Sequence, residues 1–173
     1  MTLIGWGQIA FVLGLVTATA VPLGRYIAAV AAGRVRFLTA LETTLYRGAG
    51  VNPTRGMGWQ AYVLAMLALN AAGFAILYAL LRLQGVLPLN PQNLPGLEPW
   101  LAFNTAISFV TNTNWQAYSG ETAMSHVSQM SGLAVQNFLS AATGIALALA
   151  LTRALAAGGV QALGNFWADL VRI

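Results

Sequence analysis

Apolar residues fall into three long runs along the chain, separated by two connectors of very different character. The first run, roughly Leu3 to Leu23, is uncharged and closes on Pro22 and Gly24, with Arg25 just beyond. The second, roughly Trp59 to Leu81, lies between Arg55 and Arg82, and the third, roughly Met130 to Leu151, is followed by Arg153. Each run is long enough for a helix that crosses a bilayer, which takes about 20 apolar residues. Gly73 in the second run, and Gly132 and Gly144 in the third, offer small surfaces on which neighbouring helices can approach closely. The pattern predicts an all-α integral membrane protein with three transmembrane helices.

The first connector, residues 25–58, carries Arg25, Arg34, Arg36, Arg47 and Arg55. Clustered arginine marks a cytoplasmic loop, so residues 1–24 are expected to run from outside to inside, with Trp6 near the outer interface. Val35, Leu38, Leu41 and Leu45 recur at helical spacing, which predicts an amphipathic helix that either rests on lipid or packs as a connector. Glu42 is placed to pair with Arg36 or Arg47. After the third run, residues 154–173 set Leu163, Phe166, Trp167 and Leu170 at helical spacing, with Asp169 and Arg172 among them. This reads as a second interfacial helix in a cytoplasmic segment, and nothing in it looks like a natural stop.

The second connector is different. Pro88, Pro91, Pro95 and Pro99 rule out a regular helix across Leu87 to Pro99 and describe an extended external loop. Trp100 to Val110 is apolar and opens after a proline, a favourable helix start, but polar Thr111 interrupts it after 11 residues. Such a segment is too short to span. Lying between two true spans with external connections on both sides, it is expected to be re-entrant, giving a helix–pore-helix unit over residues 59–153 with a pore helix at 100–110.

Composition narrows the classes. Of 173 residues 58% are hydrophobic and 7% charged, against roughly 25% charged in a soluble domain. The net charge of +4 comes from eight arginines and no lysine, largely confined to one loop rather than a patch, so no nucleic-acid partner is expected. With no Cys and one His, the chain cannot by itself supply an iron–sulfur cluster, a thiolate zinc site, a disulfide or a bis-His haem, and no tightly bound cofactor is expected. The first charge follows the apolar run instead of preceding it, the reverse of a secretory signal.

The segment after the short helix is Thr111-Asn112-Thr113-Asn114-Trp115-Gln116. Non-helical backbone at membrane depth is tolerated only where protein buries it or water reaches it. A potassium ion sheds its water when rings of backbone carbonyls from four loops replace the hydration shell. Candidate carbonyls are those of Asn112, Thr113 and Asn114, with the Thr111 and Thr113 hydroxyls adding an oxygen or bracing the loop. Trp115 would pack behind as a stiffener, and Gln116 would bond loop amides or sit at the mouth. Glu121 would either draw cations to the vestibule or start the next helix. A polar external loop that touches no ion is the alternative from local composition.

Phe103 to Glu121, reading FNTAISFVTNTNWQAYSGE, resembles the first pore region of the potassium-binding subunit of Kdp-type bacterial potassium pumps. Leu80 to Asn90, Val135 to Ala142, Pro22 to Arg25 and Asn165 to Ile173 extend the resemblance over nearly the whole chain. It implies the N-terminal portion of a channel-like subunit, related to potassium channels and to Trk and Ktr transporters, that carries four non-identical pore units. This chain would hold the first unit and an extra helix. Potassium would be its substrate, bound in the filter 111–116. Its partners would be a P-type ATPase catalytic subunit, small accessory membrane subunits and the bilayer of the bacterial inner membrane, with ATP hydrolysis on the separate subunit. Arg55 to Gly58 stands where acidic residues are expected, and His126 where an aromatic is usual. A homotetrameric or Trk/Ktr-like pore unit, or a structural membrane subunit with an inert loop, are the rival readings.

Among the remaining polar groups, Gln129, Gln136 and Asn137 lie in or near the third run, where bonding between helices is the ordinary role. Met57, Met66, Met124 and Met130 have no metal-site spacing and are expected to pack.

Overall fold

A computed structural model describes residues 2–35, 38–156 and 163–173, and every regular element among them is helical. In chain order these are α1 (Leu3–Ala31), α2 (Thr39–Gly48), α3 (Trp59–Leu83), α4 (Pro99–Val110), α5 (Gly120–Ala123), a π-helical stretch Ser128–Ala134, α6 (Val135–Ala156) and α7 (Phe166–Arg172). Three helices are long and apolar enough to cross a membrane: α1, α3 and the continuous helix Ser128–Ala156. The protein is an all-α integral membrane protein. No residue of α1 is buried, and its Leu, Val, Ile and Phe side chains are exposed on every side. An apolar surface of that extent suits lipid rather than water.

Where the helices end differs from the expectation. α1 does not stop at Pro22 and Gly24 but continues to Ala31. Proline forfeits one backbone hydrogen bond, a loss that spanning helices accommodate, and the apolar residues after Arg25 carry the helix on. The stop is Gly33, whose φ of +65° only glycine adopts without strain. There the Gly33 N–H donates to the Val30 carbonyl at 2.9 Å and the Arg34 N–H to Ala29 at 2.9 Å, the bond pair that closes a helix through a left-handed residue. Gly50 closes α2 in the same manner, through Gly50 to Arg47 at 3.3 Å and Val51 to Tyr46 at 2.8 Å. Since α2 begins only at Thr39, Val35 is not on its face.

α3 and the third span form the body of the molecule, and the third span starts earlier than expected, at Ser128. Its π-helical winding, uncommon outside functional regions, brings Gly132 against Leu77, where an added Cβ would lie 2.9 Å from that side chain. At Gly73 an added Cβ would meet the Gln136 amide oxygen at 2.8 Å. These two glycines set the interhelical distance; Gly144 has open space beside it and does not.

Two apolar clusters sit at opposite ends of this body. One joins Leu77 and Leu81 of α3 to Ala106 and Phe109 of α4 and to Met124 and Leu133; the other joins Tyr62 of α3, Ala146 and Ala150 of α6, and Phe166 of α7. Met57 and Met66 border the second cluster and Met124 lies in the first, whereas Met130 is 65% exposed.

The segment 163–173, expected as an interfacial helix, is docked against α3 and α6. Residues 157–162 of that expectation lie outside the described residues. Leu163 donates to the Met57 carbonyl at 2.9 Å, and Met57 to Gly164 at 2.7 Å. Asn165 caps α7 through Oδ1, accepting from Trp167 and Ala168, while its Nδ2 donates to the carbonyls of Asn52 and Arg55 at 3.1 and 3.0 Å. Phe166 is fully buried edge-on against Tyr62, with ring centroids 5.4 Å apart. Arg153 holds Asp169 with both guanidinium nitrogens at 2.6 and 2.8 Å, and the Tyr62 hydroxyl stands 3.0 Å from the same carboxylate. Glu42 pairs with Arg172 at 3.7 Å instead of Arg47, because the docking of α7 beside α2 brings that arginine nearer; Arg36 lies outside the described residues.

Candidate functional site

α4 is fixed at its start. Pro99 occupies the first helical position, and the Glu98 carboxylate accepts from the N–H groups of Trp100 and Leu101, both at 3.0 Å, satisfying donors that a helix start leaves unpaired. Leu97 donates to the Leu81 carbonyl at 3.1 Å and Arg82 donates to that of Leu97, so α4 begins beside the end of α3. Phe103 packs edge-on against Phe74 with centroids 5.4 Å apart. Ala102, Thr105, Ala106, Ser108 and Phe109 are buried. At about 1.5 Å per residue, 12 residues carry the chain roughly 18 Å inward. That brings Val110, Thr111 and Asn112 level with Met66 and Asn70 of α3 and Ser140 and Thr143 of α6, near the middle of both spans. The chain then returns, and Tyr118 packs against the cluster at the end from which α4 started. The expected re-entrant path is what the contacts describe.

The loop grows out of the way α4 ends. Asn112 has φ +56°, and its N–H donates to Phe109 at 3.3 Å while Thr113 donates to Ser108 at 2.9 Å. This is the closing bond pair already seen at Gly33 and Gly50, built here on asparagine, which tolerates the left-handed region better than other side-chain-bearing residues. Asn114 is left-handed too, at φ +54°, and its N–H also donates to Ser108 at 3.1 Å. With Thr111 bonded to Ile107 at 2.9 Å, four successive N–H groups turn back onto α4. Among the described residues no protein donor reaches the carbonyls of Thr111 to Asn114. The negative end of the α4 dipole faces this loop.

Side chains brace it. The Thr111 and Thr113 hydroxyls are 2.9 Å apart, and Thr111 Oγ1 also donates to Ile107 at 2.9 Å. Asn112 Oδ1 accepts from Ser140 Oγ at 3.3 Å and from Asn114 Nδ2 at 3.4 Å. The four candidate ion-binding residues are therefore together. Trp115 is 57% exposed in this chain, and its carbonyl is held by Ser108 Oγ at 2.9 Å. Gln116 is exposed beside Tyr118, whose phenol burial pushes up to about 12 while the Gln116 side chain pulls it down. Glu121 lies exposed on the separate one-turn helix α5 and does not cap the third span, because extended Met124 intervenes.

Below the loop a cavity of about 490 Å³ is lined by Asn70, Thr111, Asn112, Ser140, Thr143 and Gly144. Among the described residues there is no group of three or more His, Cys, Asp or Glu side chains. The donors on offer are carbonyl, hydroxyl and amide oxygens, which suit a hard cation. Gln136 is buried against Gly73, Asn137 is exposed, and Gln129 donates to the carbonyls of Gly120, at the start of α5, and of Met124 just after it.

Sequence reasoning missed the residue that ties the outer connector. Gln84 is fully buried; its Nε2 donates to Pro95 at 2.7 Å and Ala123 at 2.8 Å, and its Oε1 accepts from Ser125 N–H at 3.1 Å and Ser128 Oγ at 2.9 Å. The proline-rich loop and the residues after the filter candidate are thus held by one amide. A lone glutamine at the end of an apolar run was the available signal.

The fold and site together define a helical membrane unit whose short helix stops halfway and turns into a loop whose carbonyls, among the described residues, meet no protein donor. Comparison with known proteins gives the family. The family model described as potassium-transporting ATPase A subunit matches residues 10–173. Potassium-transporting ATPase potassium-binding subunits are 62% identical over 97% of this chain in Allorhizobium ampelinum, 55% over 99% in Caulobacter vibrioides and 57% over 97% in Methylibium petroleiphilum. The chain belongs to the potassium-transporting ATPase A subunit family. It spans about 30% of the length of these relatives.

Proposed function

We propose that this chain supplies the first of four filter loops in the potassium-binding, channel-like subunit of an ATP-driven potassium uptake pump. The observation that carries this is the backbone of Thr111 to Asn114, whose N–H groups are spent on α4 and whose carbonyls, among the described residues, have no protein donor. Such carbonyls, ringed with three like loops, can replace the hydration shell of potassium. The Thr111 and Thr113 hydroxyls and the Asn112 amide hold the loop, and Gln116 and Glu121 stand at its outer mouth. ATP hydrolysis belongs to a P-type ATPase subunit, and small accessory membrane subunits complete the assembly in the bacterial inner membrane. In this arrangement the N-terminus of α1 is outside and the arginine-rich loop, with α7, is inside. The relatives' names support the ion and the ATPase partner, and their threefold greater length supports a single polypeptide over four copies of this unit.

The test is potassium uptake by the complete pump at micromolar external potassium. Asn114→Val, which strains a left-handed position by about 1–2 kcal/mol, is expected to raise the KM for potassium roughly tenfold. An unchanged KM, with unchanged discrimination against rubidium and sodium, overturns the filter assignment.

A further inference from the structure

Among the described residues, Ser108 is the only one of α4 bonded to three successive residues of the loop. Its carbonyl accepts from Thr113 and Asn114 at 2.9 and 3.1 Å, and its hydroxyl donates to the Trp115 carbonyl at 2.9 Å. The first two bonds could come from any amino acid at 108. The third needs a hydroxyl. Ser108 is 5% exposed, so water does not compete for that donor, and a buried hydroxyl without its acceptor is costly. On the loop side, the Trp115 ring is exposed and, among the described residues, no other hydrogen bond reaches Trp115.

From this geometry we infer that Ser108 is a positioning residue that sets ion selectivity, by turning the Trp115 carbonyl back onto α4 and so fixing the peptide that follows the Asn114 carbonyl. This inference rests on the filter reading. Two adjacent carbonyls at the outer end of the loop then have opposite fates. That of Asn114 is left for the ion, and that of Trp115 is withdrawn from it. Without the hydroxyl, the Asn114–Trp115 peptide is anchored only through the preceding peptide, by the Asn114 N–H on Ser108, and its carbonyl can follow ions of different radius. Discrimination falls, whereas the turnover machinery on the ATPase subunit is untouched.

The experiment compares Ser108→Ala, Ser108→Thr and Asn114→Val in the complete pump, reading KM and kcat of ATP hydrolysis for potassium and for rubidium. Expected for Ser108→Ala is a potassium KM raised about three- to tenfold, the range one hydrogen bond commands, with a rubidium-to-potassium KM ratio moved toward one and kcat within about twofold. Ser108→Thr keeps the hydroxyl and is expected to stay near the parent in both. Parent-like KM and ratio in Ser108→Ala, alongside a shifted Asn114→Val, overturn the role of Ser108 and leave the filter standing. Parent-like values in both overturn the filter and this inference together. If Ser108→Ala does not assemble, Ser108→Cys, similar in size but a weak donor, decides: a shifted ratio supports the inference and a parent-like ratio overturns it.

Discussion

At Asn112 two demands meet in one residue. The backbone must take a positive φ to end α4, and the side chain must accept from Ser140 and Asn114. Asn112→Gly keeps the first and loses the second, while Asn112→Val loses both. We expect Val to lower the thermal stability of the solubilised complex by about 1–2 kcal/mol and to weaken potassium binding, with Gly milder on both measures; equal effects of the two would show that the backbone conformation is not what matters. The loop itself was legible in the sequence, because a polar break after an apolar run too short to span leaves few placements. The bond between the Ser108 hydroxyl and the Trp115 carbonyl was not legible. Nothing local distinguishes a serine whose hydroxyl faces a returning loop from one that bonds its own helix. The returning path supplies that information, and it is tertiary.

Among the elements, the connections proved more ordered than their composition suggests. The proline-rich connector lacks a helix as predicted, yet Gln84 ties it to residues 123–128 and Asn90 pins its turn through bonds to Gln84 and Leu94. Gln84→Leu removes four hydrogen bonds and leaves the N–H of buried Ser125 without its partner, a loss of about 1–3 kcal/mol for that group alone. The variant is expected to reduce the yield of assembled complex and lower its melting temperature by several degrees, and a normal melting curve would refute the hub role. At the other end, Asp169→Asn keeps the shape but strands Arg153. Breaking a buried pair costs about 3–5 kcal/mol, toward the low end here because the arginine side chain is 32% exposed. Limited proteolysis of the variant should cut between α6 and α7 faster than in the parent. Three spans and the short helix could be placed from the lengths of the apolar runs. Their ends could not, since Pro22 is a conspicuous breaker that a spanning helix absorbs, while Gly33 stops α1 by a conformation only the bond pattern reveals.

For the molecule as a whole, Arg25, Arg34, Arg47 and Arg55 stand at or beyond one end of the spans, joined there by Arg153 and Arg172, with Arg82 at the other. With no cysteine in this sequence, single introduced thiols report sidedness. Gln92→Cys is expected to react with a membrane-impermeant maleimide added outside intact cells, and Thr54→Cys only after the membrane is opened; the reverse pattern would invert the orientation. The expected direction follows from charge counts, whereas the clasp of Asp169 by Arg153 and Tyr62 joins residues far apart in sequence and left no local trace. The ending of α4 at Asn112 has a consequence for ancestry. A loop whose path is dictated by the last turn of its own helix travels intact when its coding segment is duplicated. In a pore assembled from such copies, each copy could then accumulate its own substitutions without forfeiting its shape.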